Sequence, residues 1–171
     1  MNESANSRVK TVVDVSTGEV QSGRGLLVFR SSALGSCIAV AAVDALRQVG
    51  GMAHFMLPGR CPANREPQTR YIWNGLQELL RQLGQIEARR ESLAIVLAGG
   101  GNVLRRQDDQ ICADNIRSIR DCLSEENLAI HAQSIGGEKR RCLSLDLAEA
   151  RVYCTIGEEP EELLWKAESK N

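Results

Sequence analysis

The sequence predicts a mixed α/β domain, of the α+β kind, whose central strands are covered on both sides. Ile38 to Val43 and Met52 to Leu57 are strand-length runs with apolar residues on both faces, which calls for one layer above and one below their sheet. Two longer stretches, from about Arg70 to Ala88 and from Asp109 to Leu123, repeat apolar residues at helical spacing instead. The other apolar runs are short and bounded by Gly, Ser and Asn turns, as strands are.

In chain order, Met1 to Arg8 is polar and reads as a disordered tail. Val9 to Val15 is a strand, Ser16-Thr17-Gly18 a turn, and Leu26 to Phe29 the core of a second strand. Ser31 and Ser32 then lead, as ordinary turn hydroxyls, into Gly35-Ser36-Cys37. Asp44 to Gln48 has the size of a hairpin connection between the two central runs. A buried helix opening at Cys37 is the alternative, because Ala-rich runs suit both states. Pro58 to Pro67 is a polar, proline-bounded loop able to wall a site. Thr69 is placed to cap the first helix, whose buried stripe is Ile72, Leu76, Leu79, Leu80, Leu83 and Ile86.

Leu93 to Leu97 is a buried strand running into Ala98-Gly99-Gly100-Gly101-Asn102. That turn matches neither GxGxxG nor GxxxxGK[ST], so it predicts a close backbone approach rather than a phosphate cradle. Asp108 or Asp109 caps the second helix, which buries Cys112, Ile116, Ile119 and Leu123. Leu128 to Ile135 is a strand in which His131 is an ordinary sheet histidine. Cys142 to Leu147 and Arg151 to Ile156 form a hairpin. The acidic Glu158 to Glu162 opens a C-terminal helix carrying Leu163, Leu164 and Trp165.

At 171 residues, 43% of them hydrophobic and 25% charged, the chain fits one soluble domain. Its span is 9–157, between a tail at 1–8 and an acidic helix or tail at 158–171. A net charge of −1 argues against a nucleic-acid partner, since phosphate binders concentrate positive charge. Arg89-Arg90, Arg105-Arg106 and Lys139-Arg140-Arg141 read as solvated surface, with an acidic partner the minority reading. Six dispersed cysteines without a CxxC pair, and only two histidines, give zinc poor support. Met1 to Lys10 lacks an apolar signal core, so reduced thiols and a cytoplasmic location are expected. No run approaches the ~18 apolar residues of a membrane span, so direct membrane insertion is not expected.

Chemistry centres on Cys37 and His54. If the central hairpin turns midway between Ala45 and Leu46, the two face each other with Cβ atoms roughly 4.5–5.5 Å apart. Moving the turn by one residue makes them diagonal neighbours on the same face; a half-residue shift puts them on opposite faces. A thiol beside an imidazole can attack an amide carbon, and the histidine can then protonate the leaving nitrogen. Gly35 permits a tight approach, and amides around Ser36 and Cys37 could hold the oxyanion. The plainer alternative is that both residues are core, where free cysteine often sits.

The residues also carry a resemblance. Leu34-Gly35-Ser36-Cys37-Ile38-Ala39-Val40 and Gly51-Met52-Ala53-His54-Phe55-Met56-Leu57-Pro58 resemble the LGSCVAV and G-x-MAH-x-MLP stretches of the CheD family, the chemoreceptor glutamine deamidases. Gly99-Gly100-Gly101-Asn102, Asn115, and Ile135-Gly136-Gly137 with Arg141 are similar to its later segments. The resemblance implies a four-layer α/β/β/α sandwich with Cys37 as nucleophile and His54 as base. The family's threonine falls on Ser31, which would orient His54. It further implies glutamine side chains of methyl-accepting chemotaxis receptor helices as substrate, a CheC-type phosphatase as a possible partner, and no metal or organic cofactor. Tyr71-Ile72-Trp73, Asp114 and Ser134 depart from the family's pattern. Two rivals stand beside the deamidase: a non-catalytic module that docks on a signalling partner, and an amidase with another substrate.

Overall fold

The computed structural model describes residues 9–168, so the tail expected at 1–8 lies outside the described residues. The first strands are β1 (Thr11–Asp14), β2 (Val20–Arg24) and β3 (Leu27–Leu34). The polar Gly- and Ser-containing β2 carried no strand signal in the sequence. β3 continues through Ser31 and Ser32, which are strand residues rather than turn hydroxyls. The central hairpin is β4 (Ile38–Asp44) and β5 (Val49–Phe55), so Cys37 precedes a strand and not a helix. Then follow α1 (Ile72–Gln85), β6 (Leu93–Gly99), α2 (Ile111–Glu125), β7 (Ile130–Ile135), β8 (Arg141–Asp146), β9 (Arg151–Ile156) and β10 (Glu162–Lys166).

The strands form two mixed five-stranded sheets, in the orders β1-β3-β8-β9-β10 and β2-β5-β4-β6-β7. β1 with β3 and β6 with β7 are parallel pairs; the other neighbours are antiparallel. The expected α+β sandwich of stacked mixed sheets is therefore present. Period-two alternation builds its cores. Odd-numbered residues of β4 (Ala39, Ala41, Val43) face the first sheet with Met52, Ala94, Val96 and Ala98, against Phe29, Leu143, Leu145 and Val152. Even-numbered Ile38, Val40 and Ala42 face the helices with Phe55, Ile95 and Leu97. Both helices cover this outer face of the second sheet. Among the described residues no helix covers the outer face of the first, so the layer order is helices, sheet, sheet, and the second helical layer of the expected four-layer α/β/β/α arrangement is not seen.

α1 buries Ile72, Leu76, Leu79 and Leu83 at the predicted spacing, each worth about 1.5–3 kcal/mol of apolar burial. Gly75 sits where a Cβ would lie 2.3 Å from the Phe55 ring, which is why the helix carries a glycine at its contact with β5. Thr69 does not cap α1, whose first residue follows Tyr71 without a side-chain cap. Its hydroxyl donates instead to the Gly18 carbonyl at 2.6 Å and ties down the turn before β2. Neither Asp108 nor Asp109 is the cap of α2, a position held by Gln110, but Asp109 lies one residue before it and accepts from the Ile111 amide at 3.0 Å.

The C-terminal helix is not formed. Glu162–Lys166 is an edge strand paired antiparallel to β9, with a bulge between Leu163 and Trp165. The turn at Gly157 (φ +60°) returns the chain beside the open edge of β9. Ladder hydrogen bonds there outweigh the weak local preference of a short acidic segment. His131 lies on β7, with Trp165 edge-on at 6.3 Å, and it hydrogen-bonds backbone of its own surroundings. That is the ordinary sheet role expected of it.

Candidate active site

The central hairpin pairs Ala39 with His54 and Ile38 with Phe55. Its turn therefore lies one residue later than the facing arrangement requires, and Cys37 and His54 are diagonal neighbours on the face toward the first sheet. Such positions are typically 7–8 Å apart, about one side-chain length more than directly opposed ones. Cys37 itself occupies the step by which the chain leaves β3 in one sheet and enters β4 in the other. A β-bulge between Ser31 and Leu34, with Ala33 at φ +55°, turns the chain into that step.

Three carbonyls pin the step from behind. Gly35 O accepts from the Gly101 amide at 2.8 Å, and Cys37 O accepts from the Gly100 amide at 2.8 Å. Ser36 O accepts from Asn115 Nδ2 at 2.8 Å. Among the described residues no protein oxygen accepts from the amides of Ser36 and Cys37, which leaves these N–H groups open to a ligand oxygen. The glycine-rich turn thus makes the close backbone approach expected of it. At Gly99 (φ +118°) a Cβ would sit 2.0 Å from the Cys37 carbonyl oxygen. Gly99→Ala combines a clash with backbone strain and is expected to cost about 3 kcal/mol or more, read as a lowered urea midpoint.

His54 is 4% exposed and Ser31 fully buried, on opposite sheets. The Ser31 hydroxyl donates to the Val15 carbonyl at 3.0 Å. Nδ1 of His54 lies 2.9 Å from Ser31 Oγ and 3.3 Å from the same carbonyl. With the serine proton committed to Val15, Nδ1 carries the ring proton and donates to both oxygens. Nε2 is left with its lone pair and receives only a long 3.4 Å contact from the exposed Thr17 hydroxyl. Ser31, the position to which the resemblance points, is thus a hydrogen-bond partner of the imidazole. Ser31→Ala is expected to lower turnover about 10–100-fold, by analogy with partners that orient metal-binding imidazoles, while Ser31→Thr retains the hydroxyl.

Burial sets the resting charges. It lowers the His54 pKa below the ordinary imidazole value, opposed by the Val15 carbonyl and the Glu19 charge. It pushes the Cys37 thiol up, against a smaller lowering effect of its own backbone amide. The resting pair is therefore a neutral thiol and a neutral imidazole, not an ion pair. Among the described residues no hydrogen bond joins Cys37 to His54; the imidazole is held by Ser31 and Val15 instead. Cys112 and Cys122, on α2, are pushed up to about 11 and about 12, chiefly by burial, and are inert helix residues as expected.

A cavity of about 250 Å³ opens beside the step, lined by Ala33, Gly35, Ser36, Val103, Leu104 and Arg140 among others. Sequence reasoning missed Asn115 as part of this site, because its amide reaches the step only through the packing of α2. Among the described residues no cluster of His, Cys, Asp and Glu could hold a metal ion, and no helix is long and apolar enough to cross a membrane.

Fold and site together define an α+β sandwich with a half-buried thiol at the crossing between its sheets and an oriented imidazole beside it. The chain belongs to the CheD family: a family model described as CheD chemotactic sensory transduction matches residues 56–156, more than half of it. It is 41% identical over 150 residues (87% of this chain, 75% of the relative) to a probable chemoreceptor glutamine deamidase CheD of Chlorobium luteolum. That alignment is too long to exclude Cys37 or His54, which precede the segment matched by the family model. A probable chemoreceptor glutamine deamidase CheD of Methanococcus vannielii is 30% identical over 132 residues, covering 76% of this chain and 86% of the relative. The chemoreceptor glutamine deamidase CheD of Thermotoga maritima is 26% identical over 144 residues, covering 84% and 90%.

Proposed function

We propose that this protein is a cysteine-dependent protein-glutamine deamidase acting on glutamine side chains of methyl-accepting chemotaxis receptors in the cytoplasm. The carrying observation is the Ser31–His54 pair, which leaves Nε2 as a free base on the face that Cys37 shares. The names of the relatives supply the substrate class.

In the first half-reaction Nε2 takes the Cys37 proton as sulfur bonds to the carboxamide carbon, and the amides of Ser36 and Cys37 receive the oxyanion. The C–N bond then breaks; His54 gives its proton to the nitrogen, which leaves as ammonia, and a thioester remains. Water adds to the thioester carbon as Nε2 accepts its proton, and the C–S bond breaks to give glutamate and, after proton return, the thiol. The diagonal gap closes by rotation of the half-buried Cys37 side chain on substrate entry, while the imidazole stays on Ser31 and Val15. No metal or organic cofactor takes part in these steps.

One observation favours the second reading, a non-catalytic module docking on a partner such as a CheC-type phosphatase: the absence of a Cys37–His54 hydrogen bond among the described residues. Incubation with a glutamine-bearing receptor helix separates them. Ammonia release marks the enzyme; tight binding without release marks the module and overturns the deamidase.

A further inference from the structure

The β4–β5 ladder ends at Ile38 and Phe55. Continued in register, the next pair would be Cys37 with Met56, the rung that would hold the nucleophile against the strand carrying the base. That pair is not formed: the Cys37 carbonyl turns to the Gly100 amide at 2.8 Å on the opposite side, and the Met56 amide donates to Arg70 O at 2.9 Å. In its place stands the side chain of Asn115, fully buried on α2. Its single Nδ2 donates to the Ser36 carbonyl at 2.8 Å and to the Met56 carbonyl at 3.1 Å. One acceptor lies immediately before the nucleophile, the other two residues after the base.

The assignment of the amide follows from its neighbours. Turned over, Oδ1 would face two carbonyl oxygens and neither could be satisfied. In the observed orientation Oδ1 is buried without a hydrogen-bond partner among the described residues. A buried polar atom left without a partner is a standing penalty, and native structures carry few of them. Here the orphan is the consequence of committing both amide protons to the two carbonyls.

We propose that Asn115 is a positioning residue that fixes the separation of Cys37 from His54, replacing the absent ladder rung with a side-chain clamp delivered by α2. The inference rests on Cys37 and His54 acting as a pair, and the test separates the two claims. Cys37 is alkylated with iodoacetamide at neutral pH in the wild type, His54→Ala, Asn115→Ala and the double variant, and labelling is followed for each cysteine peptide. Buried Cys112 and Cys122 report any unfolded fraction in the same run. Asn115→Asp, isosteric and unable to donate when ionised, is the second variant should the alanine fold poorly.

His54→Ala is expected to slow Cys37 labelling about tenfold or more, below the roughly 10²–10⁴-fold span of general acid–base catalysis because iodide leaves without a proton. Asn115→Ala or Asn115→Asp should slow it similarly with Cys112 and Cys122 still protected, and should have no further effect once His54 is gone. Unchanged labelling in both Asn115 variants, or equal slowing with and without His54, would overturn the clamp and leave the pair standing. Unchanged labelling in His54→Ala would overturn the pair and the clamp with it.

Discussion

Cys37→Ala is expected to abolish ammonia release from a glutamine-bearing receptor helix, lowering the rate by about four orders of magnitude or more. In the proposed mechanism the nucleophile and its base act as a unit, so removing the sulfur leaves no covalent route for the imidazole to assist. The fold should survive. Cys37 is only half-buried, and its backbone is held by Gly100, Gly101 and Asn115 through carbonyls that the substitution leaves intact. A circular dichroism melt within a few degrees of wild type, together with retained binding of the helix, would assign the loss to chemistry. Undiminished release in Cys37→Ala would end the proposed mechanism.

The second large effect concerns His54. His54→Ala should lower kcat about 10²–10⁴-fold, the usual span for a positioned general base. The pH profile carries more information than the magnitude. A working state made of a neutral thiol and a neutral imidazole places the acid limb of kcat/KM below the ordinary imidazole value of 6.5, because burial lowers the His54 pKa. The rate should then run flat through neutrality, with no rise until Cys37 itself ionises above the ordinary thiol value of 9.0. A thiolate–imidazolium pair would reverse both assignments.

Stability follows the same ring. The unfolded chain binds the proton more readily than the buried imidazole, so His54's contribution is complete above about 6.5 and is lost as pH falls below it. His54→Asn should flatten that part of the stability curve, as read by urea unfolding at several pH values. A wild-type acid limb of kcat/KM above pH 7 would contradict the neutral pair.

Much of the site was legible because its elements announce themselves locally. The Cys37 turn, the His54 strand and the glycine run after β6 each carry a signal within a few residues. The register did not, since the turn of Asp44–Gln48 could close at several positions and each moves Cys37 relative to His54. Ser31 reads as a plain hydroxyl until the facing sheet brings His54 to it, and only the resemblance singled it out. Thr69 and the C-terminal segment misled for a shared reason. Both have the local chemistry of helix ends, but a distant carbonyl claimed the first and an open strand edge claimed the second. Asn115 was marked only by the resemblance and without a role, as its partners lie 79 and 59 positions away along the chain.

The inner face of the second sheet is floored with alanine at 39, 41, 94 and 98, and Ala39 is the residue directly beside His54. Those methyl groups act as shims that set how near the two slabs of the molecule can lie. The Ser31-to-imidazole reach of 2.9 Å spans that same clearance. Filling the floor with bulkier residues to toughen the protein against heat would therefore pry the serine from the ring. Under the proposed mechanism the thickness of the sandwich is itself a tuning parameter of the chemistry.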